Sequence, residues 1–194
     1  IGRWVLREAC RQVQAWLAAG QRAVPVAVNV SAVEFRHKNF AEGVALMLKE
    51  TGLSPSYLEL ELTESIIMHD TDGSASVLKD LKDMGVKLAI DDFGTGYSSL
   101  SYLKRFPIDT LKIDQSFVHD IAINADGATI VGAVIGMGKN LQQRVIAEGV
   151  ETQEQLAFLQ TRQCAEGQGF LLGKPLLAAE FAHLLESGAI ELPT

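Results

Sequence analysis

Five apolar stretches of this 194-residue chain each end on a side chain with metal or phosphate chemistry. Those ends are Asn29, Glu61, the adjacent pair Asp91 and Asp92, Lys112, and Glu148. Glu64 and Glu151 each stand three residues beyond such an acid, and Gln168 falls in a sixth apolar segment. Glu61, Asp91, Asp92 and Glu148 crowded together would repel one another, and some would stay protonated, unless cations sat among them. The donors are hard oxygens with no thiol. His37, His69, His119 and His183 lie elsewhere without ligand spacing, so the set suits Mg²⁺ or Mn²⁺ better than zinc or copper. Asp91 and Asp92 could serve two ions, with Asp91 bridging. Ion pairs roughly 3.5–4 Å apart recur in phosphate-ester cleavage. A lone acid at a strand end is more often a helix cap or turn former. Five such ends on five strands favour chemistry.

The elements that must position these residues alternate. Period-2 or continuous apolar runs predict strands at 24–31, 58–64, 86–92, 110–114, 144–149 and 165–170. Helical spacing predicts helices at 1–18, 40–49, 74–84, 98–105, 125–139 and 178–187, with another from the capping box Thr152-Gln153-Glu154-Gln155. On the first helix the expected inward face is Trp4, Val5, Ala9, Val13, Trp16 and Leu17. Strand and helix in alternation imply an α/β fold with a parallel sheet. Polar ends on so many strands favour a (β/α)₈ barrel mouth over the switch point of an open sheet, which draws mainly on two strands. Six strands do not close such a barrel, so one or two βα units are expected before residue 1. The chain also opens inside a helix without an initiator Met, as a piece of a longer protein would.

Composition narrows the partners. With 47% apolar and 21% charged residues the chain reads as one globular domain over 1–194. A net charge of −7 argues against a nucleic-acid polymer, although bound cations could admit a small anionic ligand. No apolar run approaches the roughly 18–20 residues of a membrane helix, and no signal peptide opens the chain. A cytoplasmic location without membrane contact from this segment is expected, with any anchor supplied by other domains. Cys10 and Cys164 read as buried free thiols. Gly94-Thr95-Gly96-Tyr97-Ser98-Ser99 is not a dinucleotide fingerprint, and Gly136-Met137-Gly138-Lys139-Asn140 lacks the rest of a P-loop.

Six motifs stand in a telling order: Val28-Asn29-Val30-Ser31, Glu61-Leu62-Thr63-Glu64-Ser65, Asp91-Asp92-Phe93-Gly94-Thr95-Gly96, Leu111-Lys112-Ile113-Asp114, Glu148-Gly149-Val150-Glu151-Thr152 and Gln168-Gly169-Phe170. Together they resemble the EAL domain family, bacterial phosphodiesterases that cleave cyclic di-GMP to linear pGpG. The resemblance runs from the Trp4 helix to Pro175. It implies a TIM-like (β/α)₈ barrel with an antiparallel first strand and two Mg²⁺ or Mn²⁺ ions at the mouth. Asn29, Glu61 and Asp91 would ligate one ion; Asp91, Asp92 and Glu148 would hold the other. Lys112 would orient the attacking water and stabilise phosphate charge. Asp114, Glu151 and Gln168 would act behind the ligands or through bound water. Glu64 would anchor the loop after Asp92, and that loop, Phe93 to Tyr97, would contribute to a homodimer. Neighbouring GGDEF, PAS or receiver domains are expected in the full protein. Whether Glu148 is a general base or only a ligand stays open. The family's name-giving Glu-Ala-Leu, whose Glu is a further ligand, is absent from these residues and is expected on a missing upstream strand. The alternative to hydrolysis is an inactive EAL domain serving as a cyclic di-GMP receptor or a dimerisation scaffold.

Overall fold

In chain order the computed structural model contains α1 (Gly2–Ala18), β1 (Val26–Asn29), α2 (Ala32–Phe35), α3 (Phe40–Thr51), β2 (Leu58–Thr63), α4 (Glu64–Met68), α5 (Thr71–Asp83) and β3 (Lys87–Phe93). It continues with α6 (Leu100–Arg105), β4 (Thr110–Ile113), α7 (Gln115–Asp120), α8 (Ala125–Asn140), β5 (Arg144–Ala147), α9 (Gln153–Thr161), β6 (Glu166–Gly167) and α10 (Ala178–Ser187). The structure describes residues 2–96 and 100–188, without the side chains of 100–102 and 125. Tyr97, Ser98 and Ser99, the end of the expected dimer loop and the start of the expected 98–105 helix, lie outside the described residues. Strand and helix alternate as expected for an α/β fold. Among the described residues, no helix is long and apolar enough to cross a membrane.

The chain divides into two compact units. The first comprises residues 1–89, 105–107 and 176–189, the second 90–104, 108–175 and 190–194. In the first, α1 packs on α3 and β1. Its buried face is Leu6, Cys10 and Val13, spaced i, i+4, i+7. The expected face holds at Val13 but is misphased at its start, where Trp4 is 67% exposed. Trp4 lies about 200° around the helix from Leu6, beyond the reach of that stripe. β1 and β2 pair in parallel with Val28 opposite Leu60 and Asn29 opposite Glu61. The leucines of β2 are buried as the alternation predicts, and so are Glu59 and Glu61 on its other face. Both faces of β2 are therefore shielded, as in a parallel sheet.

In the second unit β4 and β5 pair in parallel, with Lys112 opposite Ile146 and Ile113 opposite Ala147. β5 pairs in parallel with β6 only through Ile146–Glu166 and Ala147–Gly167. The sixth strand is thus far shorter than the expected 165–170. Beyond Gly167 the backbone turns: Leu172 and Gly173 N–H groups both donate to Gly169 C=O. A Cβ at residue 169 would come within 2.2 Å of the Val150 backbone, so only glycine permits this approach. Helix α8 packs on α7, β4 and β5.

Three short helices, α2, α4 and α7, directly follow strands and have no counterpart in the sequence reading. Each is too short to display a 3.6-residue period. Two carry side-chain caps. Ser31 and Glu34 form a capping box on α2, and Asp114 Oδ1 accepts Ser116 N–H at 2.9 Å to start α7. Helix α5 begins earlier than expected because Asp70 caps it through Gly73 N–H.

Candidate metal centre

Each polar strand end follows from where its strand stops. In the first unit, Asn29 closes β1 opposite Glu61, two residues before the end of β2, and the next N–H, that of Val30, donates to Glu61 C=O at 2.9 Å. Glu61 is only 6% exposed, whereas Asn29 is exposed. Glu64, at the start of α4, is also buried. Asn29 borders a cavity of 310 Å³ whose walls include Leu6, Val28, Val33, Phe40 and Met47. Its lining also includes the polar Glu34, His37, Asn39 and Glu50.

The second unit gathers the charges. Lys112, on β4, is 3% exposed. Its Nζ lies 3.1 Å from Asp91 Oδ1 and 2.7 Å from Glu148 Oε1. An ammonium this deeply buried persists only when paired, and here two carboxylates satisfy it. Asp91 belongs to β3, and Glu148 follows β5 directly, its N–H donating to Ile113 C=O of β4 at 3.1 Å.

Asp92 needs a different device. Adjacent strand residues point to opposite faces, so a regular strand would aim the two aspartates apart. Asp92 instead adopts φ of 52°, the left-handed region that Asp tolerates better than most residues. Its N–H donates to Asp91 Oδ1 at 3.1 Å, and its C=O accepts Thr95 Oγ1 at 2.9 Å. Gly94 follows at φ of 102°, packed against the Phe117 ring of α7. The outcome is a cluster in which one oxygen each from Asp91, Asp92 and Glu148 lies within 4.8 Å of the others.

This cluster carries more negative charge than Lys112 neutralises. Burial, then the charge of Asp91, then a hydrogen bond and the charge of Asp114 hold the Asp92 carboxyl above its ordinary value, with Lys112 opposing. Asp114 moves the other way. Burial is its strongest single influence and pushes it up, but donation from Ser116 Oγ and N–H and from the Asp92 carboxyl outweighs that. Asp92 and Asp114 thus share a hydrogen bond that moves the two carboxyls in opposite directions. A crowded, all-oxygen set of carboxylates is suited to a hard divalent cation.

Glu151 and Gln168 are placed otherwise. Both are exposed and lie in the segments that follow β5 and β6. Gln168 N–H donates to Ala147 C=O at 2.8 Å, and its C=O accepts Val150 N–H at 3.0 Å. Between Glu148 and Glu151 the chain turns at Gly149, φ 67°, where a Cβ would meet Gln115 Cβ at 2.6 Å.

The sequence reading reached every acid of the cluster. It missed the Asp92–Asp114 link, the hold of Ser116 on Asp114, and Gln115 as the surface beneath Gly149. The spacing Asp114-Gln115-Ser116 did signal a cap, since Asp readily accepts from the N–H two residues on.

Residues 1–175 match the EAL domain family. The chain is 48% identical over 180 residues to the bifunctional diguanylate cyclase/cyclic di-GMP phosphodiesterase MucR of Pseudomonas aeruginosa, covering 93% of this chain and 26% of MucR. The solved MucR phosphodiesterase in complex with c-di-GMP superposes with a TM-score of 0.90 over 93% of this chain and 73% of that one. The EAL domain of Mycobacterium smegmatis DcpA, 44% identical, superposes with a TM-score of 0.92, covering 98% of this chain and 86% of that one. Klebsiella pneumoniae BlrP1, solved with manganese and cyclic di-GMP, is 36% identical with a TM-score of 0.78, over 89% of this chain and 43% of that one. Against its curated relatives the chain is short, spanning 26%, 22% and 24% of the first three.

Proposed function

This chain belongs to the EAL domain family, and from that premise we propose that it carries the chemistry of a metal-dependent phosphodiesterase that opens cyclic di-GMP to linear pGpG. The observation that carries the reading is the buried Lys112 ammonium between Asp91 and Glu148, with Asp92 completing a carboxylate cluster within 4.8 Å. We take the fold to be part of a (β/α)₈ barrel with an antiparallel first strand, supported by the superposition on the DcpA EAL domain.

The cluster of Asp91, Asp92 and Glu148 suits a Mg²⁺ or Mn²⁺ ion; by the family resemblance two such ions would be held, one by Asn29, Glu61 and Asp91, the other by Asp91, Asp92 and Glu148. The register partnership of Asn29 and Glu61 supports the first set, and the carboxylate cluster supports the second. Such ions, when bound, make water acidic enough to attack and neutralise charge on the phosphate. Lys112 holds a fixed positive charge beside the reacting phosphate, as a point donor to its oxygens. Glu148 is placed to accept a proton or to ligate. Asp114 keeps Asp92 in place through their hydrogen bond. Glu151 and Gln168, both exposed, are assigned to act behind the ligands or through bound water. Glu64, buried at the start of α4, is assigned as the anchor of the loop after Asp92, and that loop as part of a homodimer contact. Adjacent signalling domains of the GGDEF, PAS or receiver type accord with the fraction of MucR that the chain covers.

A second reading is a cyclic di-GMP receptor without turnover. Chromatography of cyclic di-GMP incubated with the full-length protein and Mn²⁺ separates the two. Hydrolysis expects pGpG, its loss on chelation, and a fall of about three orders of magnitude or more on Asp91→Asn with the fold intact. Tight binding without product would replace hydrolysis by the receptor reading.

A further inference from the structure

Four backbone N–H groups fix the segment that follows β5. Glu148 donates to Ile113 C=O at 3.1 Å and Val150 to Gln168 C=O at 3.0 Å. Glu151 and Thr152 both donate to one side-chain oxygen, Gln155 Oε1, at 2.7 and 2.9 Å. A capping box explains only part of this. In that motif the side chain three residues into the helix returns to the cap residue's N–H, here Thr152. The bond to Glu151 is additional, one residue further back, and it is the shorter of the two. Gln155 is 2% exposed, far more buried than a helix surface requires of a cap. Glu151 itself is exposed, so its carboxylate direction depends on its backbone.

Resting on the reading of Glu151 as a group that acts behind the metal ligands or through bound water, we infer that Gln155 is a positioning residue for Glu151, fixing the backbone from which its carboxylate extends. The amide suits the task. It supplies an acceptor without adding a further charge among Glu148, Glu151 and Glu154. The mechanism is that of an outer partner that orients a ligand's side chain, whose loss weakens metal binding while the ligand remains present.

The test measures Mn²⁺ affinity by calorimetry and amide hydrogen exchange over 148–152 in the full-length protein, comparing wild type with Gln155→Ala, Gln155→Glu and Thr152→Ala. Gln155→Ala is expected to weaken Mn²⁺ binding by about tenfold and to speed exchange at Glu151 and Thr152, with circular dichroism unchanged. Gln155→Glu retains an acceptor of the same reach, is the other residue type that completes the box, and restores slow exchange. Thr152→Ala removes the reciprocal half of the box, the acceptor of Gln155 N–H at 3.3 Å, and should leave affinity within about twofold. Equal loss of affinity in Thr152→Ala and Gln155→Ala would reduce Gln155 to a helix cap and overturn the inference. Unchanged exchange at Glu151 in Gln155→Ala would overturn it as well. If Gln155→Ala does not fold, the contrast between Gln155→Glu and Thr152→Ala decides. A wild type that binds no Mn²⁺ defeats the reading of the site instead, and the exchange data then decide alone whether Gln155 holds Glu151.

Discussion

Within the second unit, Asp91 and Glu148 sit at strand ends and are held by their charges, whereas Glu151 and Gln168 sit in loops and are held by their backbones. Lys112 contacts both members of the first pair directly. The second pair is exposed, and its hydrogen bonds run through main-chain groups to Gln155, Ala147 and Val150. The difference teaches that the two pairs are held by two kinds of rigidity. The inner part is stiff because a buried ammonium is clasped by two carboxylates, whose charges its removal would leave uncompensated. The outer part is stiff only as far as the turn beneath it is.

Three substitutions sharpen or break that division. Lys112→Met should have the largest effect, about 3 kcal/mol of lost stability in urea denaturation without divalent ions, because it strands two largely shielded carboxylates. Mn²⁺ should return part of it by binding only the folded state. A loss under about 1 kcal/mol would mean that the strand-end acids do not depend on the ammonium. Gly149→Ala should cost roughly 1–3 kcal/mol, seen as a lower Tm, since the position combines a left-handed φ with Gln115 at 2.6 Å. An unchanged Tm would show that the turn yields easily, and the outer part would then be loose. Glu151→Gln should shift stability by no more than about 0.5 kcal/mol, because an exposed carboxylate carries little folding energy. A much larger shift would place Glu151 with the inner group.

The same division decided what could be read from the sequence. Strand ends announce themselves, because an apolar run stops at a polar residue. Glu61, Asp91, Lys112 and Glu148 were accessible in that way, and the capping box at Thr152 was visible in its spelling. The phase of α1 was not legible, since Trp4 and Val5 are as apolar as Leu6 and Cys10 and only packing chooses between the stripes. The extent of β6 was hidden because its end is set by the close approach of Gly169 to Val150, a contact between distant residues. Asp114 was read as a candidate for chemistry and also proves to be a helix cap. One carboxylate serves both purposes, so the two readings did not compete.

The left-handed backbone at Asp92 has a consequence for how this sequence can drift. Position 91 lies in extended strand and is filtered both as an oxygen donor and as a partner of the buried Lys112. Position 92 is filtered twice, once for an oxygen donor and once for tolerance of positive φ. Asp and Asn pass both filters. Glycine passes only the second, so Asp92→Gly would relieve the backbone while deleting a ligand. A lineage released from selection on its ligand set would therefore meet less resistance at position 92 than at 91. Loss at 92 with 91 intact is the expected first mark of such a history.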